Sequence, residues 1–127
     1  MRLQDTELFI KRGMMKQQKQ QLYEGMYVLS AHLSDDARGK AIEKIKEQIT
    51  SRGGKILKVH DQGRRRLAYE INRHREGYYF LIYFEVETKY IEELWEEYRR
   101  NEDLLRFLTV KAEKVLEELK FKQLPEL

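Results

Sequence analysis

The chain has 127 residues, 41% of them hydrophobic and 37% charged, with a formal net charge of +3 and no cysteine. That length suits one domain rather than two, and the apolar fraction suffices for a modest core. The absence of thiols excludes disulfides, thiol catalysis and thiolate metal sites. No apolar run reaches the ~18 residues of a membrane span, and MRLQDTELFI places Asp5 and Glu7 where a secretory leader would be apolar, so the cytosol is the expected compartment.

Residues 1–21 read as a flexible extension, because the run KQQKQQ has no apolar periodicity to offset the entropy of ordering it. The tandem Met14-Met15 just before that run gives a second reading, in which translation starts at one of these two methionines. The mass of the native protein separates the two readings. LYEGMYVLSAHL (22–33) is aromatic, β-branched and aliphatic, which predicts a strand. Ser34 followed by Asp35 and Asp36 is an N-cap with acid in the first turn. Ala37, Ala41, Ile42, Ile45 and Ile49 then recur at helical spacing until Gly53-Gly54 ends the helix.

KILKVH (55–60) predicts a second strand, and Asp61-Gln62-Gly63 reads as a turn or as a bulge within a longer strand through 64–71. The bulge is favoured because 64–71 lacks helical periodicity and ends in the strand-like LAYEI. The polar stretch NRHREG (72–77) reads as a hairpin loop, and YYFLIYFEV (78–86) is the strongest strand pattern in the chain. Ile91, Leu94, Trp95 and Tyr98 mark one face of a second helix whose other face is rich in glutamate. LLRFLTVK (104–111) is a fourth strand, and 112–119 is expected to form a short terminal helix before the KFKQLPEL tail. The order βαββαβ implies an α+β, ferredoxin-like domain: a four-stranded antiparallel sheet, two helices on one face and the other face open. The expected division is an extension over 1–21, a domain over 22–112 and a tail over 113–127.

Charge is segregated along the chain. Between residues 52 and 76 eight cations oppose three anions, and between 85 and 103 eight anions oppose three cations. One side of the domain should therefore attract a polyanion and the other repel it. Catalytic chemistry finds no support: His32, His60 and His74 fall on three different elements with no metal-ligand spacing. The carboxylates lie mostly on a solvated helix face, where nothing shifts their pKa values for acid–base work. Gly53-Gly54 follows a helix and lacks phosphate-loop spacing. No enzyme, cofactor, metal or small-molecule substrate is expected.

The basic cluster is the informative feature. On a strand, Arg64 and Arg66 share one face and Arg65 takes the other, and the loop adds Arg73, His74 and Arg75. A basic triplet alone reads as a solvated charge run. The second arginine-rich segment and the segregated charge favour contact with phosphate, which the planar guanidinium grips in pairs of hydrogen bonds. EGYYFLIY (76–83) approaches the aromatic strand signature of RNA-recognition motifs, but Glu76 and Tyr79 depart from it. Parity also turns the all-apolar set of Tyr78, Phe80, Ile82, Phe84 and Val86 toward the helices. That leaves Tyr79, Leu81 and Tyr83 on the open face, as candidates for contact with a protein partner or RNA.

YEGMYVLS, DQGRRRLAYEI, REGYYFLIYFEV and NEDLLRFLTVK, in this order and spacing across 22–111, resemble the bacterial small-subunit ribosomal protein six family. The resemblance implies an RNA-binding ribosomal protein that joins the platform by binding the central domain of 16S ribosomal RNA with small-subunit protein eighteen. Lys58, Arg64, Arg65, Arg66, Arg73, His74 and Arg75 are the candidate RNA- or partner-binding residues, undivided between the two roles. Some relatives carry a glutamate-rich tail that is enzymatically extended; the ending LPEL has no such run, so that modification is not carried over. The competing reading is a stand-alone ferredoxin-like module that pairs with proteins through its sheet.

Overall fold

The computed structural model describes residues 19–117. Its elements are β1 (Gln20–Ser30), α1 (Asp35–Thr50), β2 (Lys55–Ile71), β3 (His74–Glu87), a 3₁₀ turn (Thr88–Tyr90), α2 (Ile91–Arg99) and β4 (Leu104–Lys111). All strand pairs are antiparallel and the sheet order is β2-β3-β1-β4, so β2 and β4 form its edges. This is the expected βαββαβ fold.

Local chemistry sets the helix ends. The Ser34 hydroxyl accepts a hydrogen bond from the Ala37 N–H (3.1 Å), satisfying one of the free donors of the first turn. At the other end Gly53 takes a left-handed φ of 78°, which lets the Gly54 N–H fold back onto the Ile49 carbonyl (3.0 Å). Ala41, Ile42, Ile45 and Ile49 of α1, with Ile91, Leu94 and Tyr98 of α2, pack against Tyr27, Leu29, Phe80, Ile82, Phe84 and Val86 of the sheet. Truncating a fully buried member such as Ile45 to alanine costs on the order of 2–5 kcal/mol, because the cavity collapses only in part.

The opposite face of the sheet is not bare. Met26, Val28, Leu67, Ile71, Tyr79, Leu81, Tyr83 and Leu105 form a second buried cluster, with Leu22, Leu57, Ala112 and Val115 packed at its margin. Residues 112–117 contain no helix. Instead they leave β4 and cross this face: the Ala112 N–H bonds to the Leu22 carbonyl (3.0 Å), and a ring nitrogen of His60 lies 2.7 Å from the Leu116 carbonyl. Two expectations are thus corrected. Over its described part, 112–117, the terminal helix gives way to an irregular strap because Ala112 and Val115 gain more by covering the sheet than by completing one isolated helical turn; 118 and 119 lie outside the described residues. For the same reason Tyr79, Leu81 and Tyr83 are buried rather than exposed. β1 starts at Gln20, inside the expected extension, while Met14, Met15 and the end of the tail lie outside the described residues.

Candidate nucleic-acid interface

β2 and β3 form one long hairpin, and the basic residues concentrate at its tip. The expected six-residue loop is a two-residue turn instead, with Asn72 and Arg73 both at positive φ (47° and 68°). Such turns match the right-handed twist of the strands, so Ile71 and His74 pair directly beside the turn and 74–77 belong to β3. At the expected bulge, the register slips between Asp61 and Gly63, Gly63 has φ 76°, and its N–H bonds to Asp61 Oδ1 (2.8 Å). The slip sets the parity of everything after it: Arg64 opposes Tyr78, Arg65 opposes Gly77 and Arg66 opposes Glu76.

That register separates the triplet as its alternation requires. Arg64 and Arg66 line one shallow cleft of ≈ 400 Å³ with Arg73, Arg75, Glu76, Ala31 and His32. Arg65 is outside this set, and its Nε donates to the Gln62 carbonyl (3.0 Å). Within the cleft Arg64 is ion-paired with Glu76, and Arg75 lies 3.8 Å from Glu70. Among the described residues no hydrogen bond or ion pair engages the side chain of Arg66 or Arg73, and both are exposed. Arg38 of α1 lies nearby, its guanidinium 3.8 Å above the ring of Tyr78.

His74 is half-buried, its ring tilted against that of His32 (centroids 4.5 Å apart), and its Nδ1 is enclosed without a hydrogen-bond partner. His32 and Ala31 are cleft residues that no sequence pattern singles out. Strand order is the signal that places them: β1 pairs with β3 up to Ser30 opposite Gly77, so the residues after Ser30 emerge beside the hairpin tip. Lys58 is not part of the cleft. It opposes Tyr83 in the lower half of β2 and pairs with Glu117 of the strap at 3.2 Å. The acidic surface is elsewhere, on α2, where Glu93 and Glu97 receive Arg52 from the end of α1.

Four guanidinium groups line one open cleft, two of them uncommitted, and guanidinium forks are chemically suited to closely spaced anionic oxygens. Comparison with known proteins assigns the lineage. The profile of the family described as Ribosomal protein S6 matches residues 22–111, which take in nearly all of β1 and every later helix and strand. This chain belongs to that family. The small ribosomal subunit protein bS6 of Protochlamydia amoebophila is 58% identical over 112 residues, covering 88% of this chain and 98% of its own. The same protein of Chlamydia caviae is 62% identical, covering 88% of this chain and all of its own. The crystal structure of 30S ribosomal protein S6 from Thermotoga maritima superposes with a TM-score of 0.70 at 34% identity, covering 74% of this chain and 89% of that one. As a member of the S6 family the chain is a structural constituent of the small ribosomal subunit and not an enzyme.

Proposed function

We propose that the chain binds the central domain of 16S ribosomal RNA through the arginine cleft at the hairpin tip, in concert with small-subunit protein eighteen. The observation that carries this reading is the convergence of Arg64, Arg66, Arg73 and Arg75 on one cleft with Arg66 and Arg73 unpaired. Folded RNA packs phosphates closely, and an arginine fork neutralises them while releasing condensed counterions. His32 borders the same opening and His74 packs ring to ring against it, so imidazole nitrogens lie close to the arginines. Lys58 contributes at most to the edge of such a surface, given its distance along β2 and its carboxylate partner.

On the sheet face, the apolar surface left for a protein partner among the described residues includes Leu108 and Val110 on β4, 38% and 44% exposed, and Leu116 on the strap, 37% exposed. Tyr79, Leu81 and Tyr83 are buried on β3, with β1 between them and β4, so they would support this face rather than provide its exposed surface. Each binding event would then present more surface to the other, which couples the two. The test is the full chain with Arg64, Arg65 and Arg66 all replaced by alanine, titrated against a central-domain transcript with and without protein eighteen at several salt concentrations. Weaker binding and a flatter salt dependence are expected, by roughly 0.7–0.9 in slope for each phosphate no longer neutralised. An unchanged slope overturns the reading, and failure of the native chain to co-sediment with 30S subunits at low salt would favour the stand-alone module.

A further inference from the structure

Past Arg66 the β2–β3 ladder is irregular: Arg66 opposes Glu76 and the next pair is Ile71 with His74. Four residues of β2, 67–70, therefore face the single residue Arg75. The excess length cannot stay in the pleat, so the segment arches at the edge of the sheet. Leu67 is held inward in the second cluster, while Ala68, Tyr69 and Glu70 are exposed. Among the described residues Tyr69 is the one exposed tyrosine, phenylalanine or tryptophan, at 52%, and no hydrogen bond or ring contact ties its side chain to the rest of the protein. It lies along a second shallow cleft, ≈ 240 Å³, formed by 66–70 and Arg75. Arg66 and Arg75 are also walls of the arginine cleft, so the two openings are adjacent and share their cations.

A phenol ring costs free energy in water and buries well against another flat surface. An exposed tyrosine with Arg66 and Arg75 in the same cleft, Arg75 loosely paired with Glu70 at 3.8 Å, therefore suits a partner with both a π-face and a phosphate. We infer that Tyr69 is a stacking platform for an unpaired nucleobase of the bound RNA, with Arg66 and Arg75 holding the phosphates on either side of it. This rests on the arginine-cleft reading and adds to it a single-stranded element, a looped or bulged nucleotide, as the preferred target. A protein side chain stacking on the same ring is the competing occupant; the flanking cations and the position beside the arginine cleft favour RNA.

Tyr69→Ala and Tyr69→Phe in the full chain, beside the triple arginine variant, test the inference. Binding to the central-domain transcript is measured across a salt series, and binding to protein eighteen is measured separately. Tyr69→Ala is expected to weaken RNA binding roughly tenfold to a hundredfold with its salt slope unchanged, and Tyr69→Phe to stay near the native value. Native-like RNA affinity in Tyr69→Ala, a loss confined to protein eighteen, or equal losses in both tyrosine variants would overturn it. If the arginine variant alone fails, the cleft stands and the stacking platform falls. If neither variant changes RNA binding, both fall. Because Tyr69 is exposed and unpartnered, an unchanged unfolding midpoint is expected to accompany the weaker binding.

Discussion

Asn72 and Arg73 make the whole β2–β3 reversal between them, side by side in the left-handed backbone region at φ 47° and 68°. Asparagine tolerates that conformation, because its short amide bonds locally to the backbone. Arginine does not, and turns of this kind ordinarily place glycine second. Arg73 thus holds an uncommitted charge at the hairpin tip at a cost of about 1 kcal/mol in backbone energy. Arg73→Gly should therefore raise the urea midpoint, with a net gain of about 0.5–1 kcal/mol, while weakening RNA binding and flattening its salt dependence. Loss of stability in this variant would mean that the turn is not strained.

Glu76 holds the Arg64 guanidinium in an ion pair, so under the proposed cleft reading it would compete with RNA for that group. The two residues are neighbours in space because Arg66, not Arg64, takes the position directly opposite Glu76, which leaves the longer diagonal reach to Arg64. Both side chains are about half exposed, so their pairing adds little to the fold. Glu76→Gln frees the guanidinium and removes a negative charge from the cleft. Tighter RNA binding with a steeper salt slope is expected, and little change in thermal unfolding. A weaker complex would show that Glu76 positions Arg64 instead of restraining it.

These two predictions depend on facts the sequence carries unevenly. Period-2 and period-3.6 patterns are legible wherever one face meets a core, which is why α1 and β4 appear with their expected residues. Gly63 announces the bulge, since few other residues tolerate its φ. The hairpin tip reads as a loop because 72–77 is polar throughout: at an exposed edge no apolar alternation survives to mark a strand. The strap escapes the pattern for the converse reason. Ala112 and Val115 have spacing a helix could use, and only the apolar face beside β4 decides against it. The carboxylate partners of Arg64 and Arg75 are invisible in the sequence because they depend on register, which bulges shift.

Glu24 offers a check on the strap. It opposes Tyr83 on the covered face, and partial burial raises its carboxyl pKa above the ordinary 4.5, with nearby His60 acting in the opposite sense. A carboxyl harder to ionise in the folded state costs stability once pH exceeds its folded pKa, and that cost disappears below 4.5. Glu24→Gln should unfold at a higher temperature than the native chain at pH 7, and the difference should shrink to nothing in acid below 4.5. A gain that persists in acid would assign the effect to packing.

A fully buried polar contact lies between the helices and the sheet, where the hydroxyls of Tyr27 and Tyr98 meet at 3.0 Å with their rings edge to face. Each satisfies the other inside an apolar cluster, so Tyr98→Phe strands the Tyr27 hydroxyl and should cost about 1–3 kcal/mol. Replacing both by phenylalanine should recover part of that loss, because no orphaned group remains. Burial pushes the Tyr98 phenol up to about 12 and raises Tyr27 well above its ordinary 10. The unfolded chain ionises these groups near 10, so it releases protons first and stability falls as pH rises from 10 toward 12. Urea midpoints measured between pH 9 and about 12 should drop steeply in the native protein. In the double phenylalanine variant the drop should be much shallower; an equally steep fall would place the alkaline sensitivity elsewhere and detach it from this pair.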